Sequence, residues 1–542
     1  MRYRRRAMPP EPERHARLKS LYETGGEDAE LLSEADGAWA YAIRLKRWLN
    51  GSAEVEPNVP RAVWQRPQKN EEATALFALC IEVRRAATLR LDGAGVSSCV
   101  AYARQLAQDH PGACDELALG VSAAWEAWVL GAPNAESVEA LALQGRARGD
   151  AQVAVEAQVL RGLHELALRR VADAVQTLRR ASRMARVEGV PNLEVLAGIA
   201  LARARRFQGR PQLALRILRA VAPHAPPPWR RWLSWEAALS GARFAGGRAD
   251  ATILGALLRA CDASEQGHAD GSRVSLESLS KGAESFAALS QEARAAAALL
   301  SVGECTDAPA DVAAWIRSEV SEVPPAFRGF IFASHIEEAG ESCALLLAPT
   351  QGSARRVLAR SVRLAMALGY DADSAAAPTH PRTDSGLATL AFGRGALPLG
   401  VYFEQVYEYP FDSGVHRSMV NMHVKRMRER VGESAGIERD GDTIALHIKR
   451  PLILRDARCE ETIEDRVLGV LARSDAKSAS ELARELKIPL RTVQRILREL
   501  QVDAGVEQHK EGRKVRYAVE DTTFSEPTRT RRFAAVIGDG SS

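Results

Sequence analysis

Cysteine is scarce and unpatterned in this chain. The seven residues (Cys80, Cys99, Cys114, Cys261, Cys305, Cys343 and Cys459) are scattered and odd in number, none forms a CxxC, and none has a histidine at zinc-finger spacing. A disulfide framework or a cysteine-based zinc module is therefore excluded, and a reduced, cytoplasmic interior is expected. No apolar run approaches the roughly 18 residues of a membrane span, and the basic start MRYRRRAMPPEPERHARLK is followed by no apolar stretch, so it does not read as a secretory signal. Aromatics are sparse at 6%, and Val/Ile/Thr runs are rare, which disfavours long strands. Walker A, HExxH and a strand-linked GxGxxG are all missing. The histidines are dispersed, and pairs such as Glu460/Glu461 and Glu464/Asp465 read as solvated helix faces. No catalytic, cofactor or metal site is expected. The formal net charge is only +4, so a nucleic-acid surface would have to come from local clustering of charge.

What is abundant is Ala, Leu and Arg, which favour helix. A length of 542 residues suggests three or four domains at about 150 residues each. A flexible basic tail is expected over 1–26, with a phosphate-contacting arm as the alternative, and a second tail over 523–542. From 27 to 320 apolar residues recur at i, i+3, i+4 and i+7 between short Gly/Pro/Asp/Asn breaks, predicting helix after helix. In the unit starting at Leu193, one helix carries Leu196, Ile199 and Leu201. A turn at Gln208-Gly209-Arg210 follows, then a helix presenting Leu213, Ala214, Ile217, Leu218 and Val221, with Pro226 beyond it. The stretch with Gly162, Ala174, Leu178 and Ala181 fits the same scheme. This resembles a tetratricopeptide repeat, although Ala174 and Ala214 lie 40 residues apart against the usual period of about 34. HEAT-like or irregular helical pairs fit as well. A stack of such pairs offers a groove for a protein partner. Trp229, Trp232 and Trp235 share one helical segment, and core packing is the expected role, with an aromatic patch on the groove as the alternative.

Over 321–382 a small α/β segment and linker is expected: strands at Gly329–Ser334 and Cys343–Ala348, a helix at Ser353–Leu368, and a linker at Asp371–Ser385 broken by Pro378 and Pro381.

Two helix-turn-helix patterns follow. In the first, Val420, Val424, Met427 and Val431 make one apolar stripe, while Arg417, Asn421, Lys425, Arg426 and Arg428 share the other face. A hairpin with Asp440-Gly441 at its turn comes next. The run from Leu387 to Ile448, closest over Val406–Gly432, resembles the winged-helix output domain of OmpR/PhoB-type response regulators. That resemblance makes RSMVNMHVKRMRERVG a recognition helix, places His423 in a structural or DNA-facing position, and makes Gly436–Ile448 a wing. The family has an acid where this chain has Asn421, and it carries a receiver domain that nothing here resembles, so phosphorelay control is not implied. The family's N-terminal sheet would have to come from the strands around Phe330 and Leu346.

In the second pattern Ser478 and Glu481 form a capping-box pair. Val493, Ile496, Leu497 and Leu500 face inward, and Arg491, Thr492, Gln494, Arg495 and Arg498 remain outside. The following hairpin places Lys510, Arg513, Lys514 and Arg516 around Gly512. Glu460–Val519 resembles the MarR/DeoR-like winged helices. The expected fold is mainly α: a TPR-like helical-repeat α-solenoid (27–320), then two winged helix-turn-helix α+β domains (383–455 and 456–522) joined by a short linker, Lys449–Cys459. The expected function is a bacterial-type cytoplasmic transcriptional regulator that binds double-stranded DNA, with the repeats as sensor or docking region and a homodimer as one possible assembly. A non-enzymatic protein–protein adaptor is the alternative.

Overall fold

The computed structural model describes residues 11–24, 31–32, 37–242, 253–266, 268–282, 286–300, 308–316, 322–332, 344–348, 355–359, 381–392, 396–407, 409–450, 452–455, 462–474, 476–503, 505–511 and 514–519. It is mostly helical, with a few small antiparallel strands.

Within the described residues the N-terminal part comprises helices α1 (Glu11–Thr24), α2 (Ala38–Leu49), α3 (Asn70–Leu89), α4 (Gly93–Asp109), α5 (Glu116–Val129), α6 (Ala135–Arg148), α7 (Ala151–Ala167), α8 (Val171–Val187), α9 (Pro191–Phe207), α10 (Pro211–Val221), α11 (Arg230–Leu239), α12 (Ile253–Gln266), α13 (Ala269–Gly282), α14 (Ala287–Leu300), α15 (Ala310–Ile316) and α16 (Arg328–Phe332). Successive helices from α6 to α10 pack on one another, and one apolar core runs from Leu18 to Ile331. Two close approaches set this spacing. Gly162 of α7 lies against Leu178 of α8 with no room for a Cβ, and Gly209 turns the chain between α9 and α10 at φ +77°, a left-handed conformation that glycine adopts without strain. Trp232 and Trp235 are fully buried, and Trp232 stacks on Trp128.

The expected tail at 1–26 is corrected by α1, which packs on α2. Leu18 is buried, Trp39 Nε1 donates to His15 at 2.8 Å and the Tyr22 hydroxyl donates to Glu82 at 2.7 Å. The expected tail at 523–542 lies outside the described residues.

Arginine and glutamate fill the core where leucine would be expected. Glu156 accepts from Arg84 at 3.0 Å, Arg85 at 2.9 Å and Trp125 at 2.8 Å. Burial works to raise the Glu156 carboxyl, but Arg85 and Arg84 outweigh it and hold it at about 2. A second buried cluster joins Arg203 and Arg206 of α9 to Glu236 at 2.8 and 2.9 Å, and to Glu292.

The segment expected as a strand at Gly329–Ser334 is helical through Phe332 (α16), because Pro324 and Pro325 start a helical turn there. Strands β1 (Ala344–Ala348) and β2 (Arg355–Ala359) follow. The helix expected at Ser353–Leu368 is thus strand over 355–359, and its remainder lies outside the described residues. The expected linker is helix from Pro381 onward, and its part at 371–380 also lies outside them.

The first C-terminal unit contains α17 (Pro381–Phe392), β3 (Ala396–Pro398), α18 (Leu399–Tyr407), α19 (Ser413–Val431), β4 (Ala435–Asp440), β5 (Thr443–Ile448) and β6 (Leu452–Arg455). Strands order β3–β5–β4 in one sheet and β2–β1–β6 in another. Leu345 pairs with Leu454, and Leu346 with Ile453. Residues 452–455, expected as linker, are therefore a strand that returns to β1. The second unit contains α20 (Ile463–Arg473), α21 (Ala479–Leu486), α22 (Leu490–Asp503), β7 (Val506–Glu511) and β8 (Lys514–Val519), with Val506 opposite Val519 and Glu511 opposite Lys514.

This second unit is docked on the N-terminal helices. Leu213 of α10 joins its core with Val467, Leu468 and Leu471. Arg210, just before α10, pairs with Glu464 at 3.7 Å, and Arg216 Nη1 donates to the carbonyls of Leu471, Ala472 and Ser474 at 3.3, 3.3 and 3.2 Å. So α10 and α20 run side by side in the same direction, with an arginine supplying the cationic C-terminal cap that helix ends favour. Arg328 of α16 forms an ion pair with the buried Asp465 of α20.

Candidate nucleic-acid interface

Helix α19 starts at Asp412, whose carboxylate accepts from Gly414 N at 2.8 Å. The approach is fixed by an aromatic cluster: Phe403 stacks on Tyr407 and on His416, with ring centroids 4.5 and 4.7 Å apart. Val420, Val424, Met427 and Val431 are buried, while Arg417, Asn421, Lys425, Arg426 and Arg428 are exposed. The helix is tied to its hairpin, since Arg428 Nε donates to the Ile437 carbonyl at 2.8 Å. Arg439 on β4 donates to Asn421 Oδ1. Because a guanidinium only donates, the Asn421 oxygen faces Arg439, and its NH₂ remains to donate elsewhere.

His423 does not belong to this face. It is buried, with its ring nitrogens 3.1 Å from the Tyr402 hydroxyl and 3.0 Å from the Arg382 carbonyl. Gly386 packs so tightly on Tyr402 and His423 that no Cβ fits. The motif position is legible in the sequence, but its inward direction follows from the register of the buried stripe one residue away.

In the second unit the capping box forms as the spacing predicts: Glu481 N donates to Ser478 Oγ at 3.3 Å and Ser478 N to Glu481 Oε2 at 2.7 Å. The bond from Ser478 N, joined by one from the Ser478 hydroxyl to the same oxygen at 2.8 Å, holds the Glu481 carboxyl below its ordinary range. Val493, Ile496, Leu497 and Leu500 are buried. Arg491, Gln494, Arg495 and Arg498 are exposed and Thr492 is half-buried. Arg495 shares its charge with Glu499 at 2.7 Å, a weak exposed pair. On the hairpin Lys510 is exposed. Arg513 and the side chain of Lys514 lie outside the described residues. Arg516 is half-buried and donates to the Ala476 carbonyl at 3.2 Å, so it braces the hairpin against the loop before α21.

Sequence reasoning missed Arg439. Its position just before the Asp440-Gly441 turn was the available signal. It also missed Arg210, Arg216 and Arg328, which are surface-like in sequence and read as partners only once α20 lies on α10. Among the described residues no group of three or more His, Cys, Asp or Glu is placed to hold a metal ion, and no helix is long and apolar enough to cross a membrane. No family model, curated protein or solved structure matches the chain.

Proposed function

We propose that the chain is a DNA-binding transcriptional regulator. In this reading the two C-terminal units are winged helices of OmpR/PhoB and MarR/DeoR type, α19 and α22 lie in the major groove, and the N-terminal helices are a TPR-like input domain in the cytoplasm. One observation carries it. Each of these helices buries an apolar stripe, exposes a row of arginines with amide side chains, and stands beside an antiparallel hairpin. Helices of this size fit the major groove, where Arg and Asn or Gln can read bases while other cations hold phosphates.

The docking of α20 on α10 supports the reading, because it uses the first helix of the second unit and leaves Arg491, Gln494, Arg495 and Arg498 of α22 exposed. The two readers are short-tethered: β6 returns to β1 only a few residues before α20 begins. A fixed tandem reader follows. Titration of the full chain with duplex DNA tests it, since specific and non-specific duplex binding both weaken steeply with salt.

A second reading, an adaptor, draws on Val415 and Met422, which are apolar and exposed at 67% and 55% on α19. On DNA such side chains suit thymine methyl groups; in an adaptor they would pack on a protein. Salt-insensitive or absent duplex binding favours the adaptor.

A further inference from the structure

Within the helical part, Trp128, Leu163, Leu166, Phe207 and Phe327 line a cavity of about 170 Å³, partly open to solvent, together with Arg203. An apolar cavity of roughly 150 Å³ is large enough to take up benzene, while a single water accounts for about 30 Å³. Rings and aliphatic chains make up somewhat over half of its lining, and Arg169, Arg203, Gln291, Glu292 and Asp311 contribute the polar rest. Its charges are already balanced: Arg203 pairs with Glu292 and Glu236, and Arg169 lies 3.8 Å from Asp311. A charged guest would upset one of these pairs or enter unpaired, at a high desolvation cost. An uncharged planar guest between aromatic rings meets neither penalty.

The wall nearest the second C-terminal unit is built from Ala326 and Phe327. The Ala326 carbonyl accepts from Arg206 Nη1 at 3.2 Å, so this wall is tied to the buried charge cluster. The next residue, Arg328, forms the ion pair with Asp465 in the first turn of α20. The bridge has little room to slip. Gly209 is closed in by Pro325 and Arg328 at 3.2 and 3.3 Å from where a Cβ would sit, and Gly329 lies against Pro211 and Ser240 with no room for one. Three consecutive residues thus connect the cavity to the second unit.

We infer that this cavity is a binding site for a small uncharged aromatic molecule, and that its occupancy passes through Phe327 and Arg328 to Asp465 and α20. Binding itself stands apart from any role in DNA recognition; calling it the input of a regulator rests on the function proposed above.

The test uses the full chain, with indole and benzamide as probes and benzoate and benzylamine as charged counterparts, titrated by calorimetry. Saturable one-to-one binding of an uncharged probe is expected, about tenfold or more tighter than its charged counterparts, the cost of desolvating an unpaired charge. Ala167→Phe and Gln291→Phe place a ring at two exposed lining positions, and each is expected to weaken binding about tenfold or more while the melting curve stays cooperative. No binding by either uncharged probe, or binding indifferent to both substitutions or to charge, overturns the site. For the coupling, hydrogen exchange across 463–473 is expected to slow when the probe is bound in the wild type and to stay unchanged in Asp465→Asn. A bound probe that leaves 463–473 unaffected in the wild type overturns the transmission. Duplex titration is scored separately, so a chain that binds the probe and protects α20 but binds no duplex refutes the DNA reading alone.

Discussion

Breaking the Arg328–Asp465 pair is the sharpest test of how the second unit is held. The Asp465 side chain is 1% exposed and that of Arg328 22%, so the carboxylate depends on its partner more than the guanidinium does. Arg328→Ala leaves Asp465 with the Thr462 hydroxyl, which donates to it at 2.6 Å. Removing one partner of a buried pair costs about 3–5 kcal/mol. The surviving hydroxyl bond, and solvent entering where the guanidinium stood, place this case nearer about 2 kcal/mol. The cost should be local. Among the described residues of the N-terminal helices, only Leu213 belongs to the second unit's buried core, so weakening the pair loosens α20 from α10 without opening the larger core. A loss of about 2 kcal/mol corresponds to roughly thirtyfold faster exchange of protected amides. Hydrogen exchange by mass spectrometry over 463–473, compared with 193–207, reads it. A double-mutant cycle with Asp465→Ala should return a coupling of about 2 kcal/mol, within the range for contacting residues. A coupling below about 0.5 kcal/mol, or exchange that rises equally in both segments, refutes the docking role.

Glu156→Gln should destabilise the chain at neutral pH. Because the folded carboxyl is held down at about 2, its stabilisation is full above the unfolded value near 4.5 and is lost as pH falls towards 2, on the order of 3 kcal/mol. In denaturant titrations the gap between wild type and variant should therefore close from about pH 5 downward, and a gap constant with pH contradicts the assignment. His423→Ala should cost the first unit about 1–3 kcal/mol by removing its bonds to the Arg382 carbonyl and to the Tyr402 hydroxyl, which keeps only the weaker contact to the Met427 sulfur at 3.3 Å, read as a lower unfolding midpoint; unchanged stability with altered base preference would return His423 to the DNA face. Arg439→Ala should free the Asn421 oxygen, so that a donor–acceptor pair matching adenine becomes available. Selection of bound duplexes from a random pool should then show one base pair shifting towards adenine, and an unchanged preference counts against base reading by Asn421.

The apolar periodicities carry much of the architecture. The stripes at Val420–Val431 and Val493–Leu500, the turn at Gly209 and the Ser478–Glu481 box all stand where spacing puts them, because each depends on contacts within one helix or one turn. The failures are long-range. Helix α1 reads as tail in the sequence because its apolar residues are few and only packing on α2 gives them a core. Arg355–Ala359 reads as helix because its strand partner, β1, is itself paired with residues over a hundred positions away. The buried arginines of α3 and α9 look like surface residues until Glu156, Glu236 and Glu292 are brought beside them. The exposed cations of α19 and α22 are legible, whereas the inward turn of His423 and the bracing role of Arg516 are set by neighbours from other elements.

The measurement that bears most directly on the central claim is the salt dependence of duplex binding by the full chain, followed by fluorescence anisotropy. If α19, α22 and their hairpins make about 6–10 phosphate contacts, affinity should fall by about 10³–10⁵ between roughly 50 and 200 mM salt, and replacing Arg417 and Arg491 together should weaken binding further at every salt concentration. Affinity that is flat across that range, or unaffected by the paired substitution, contradicts the account.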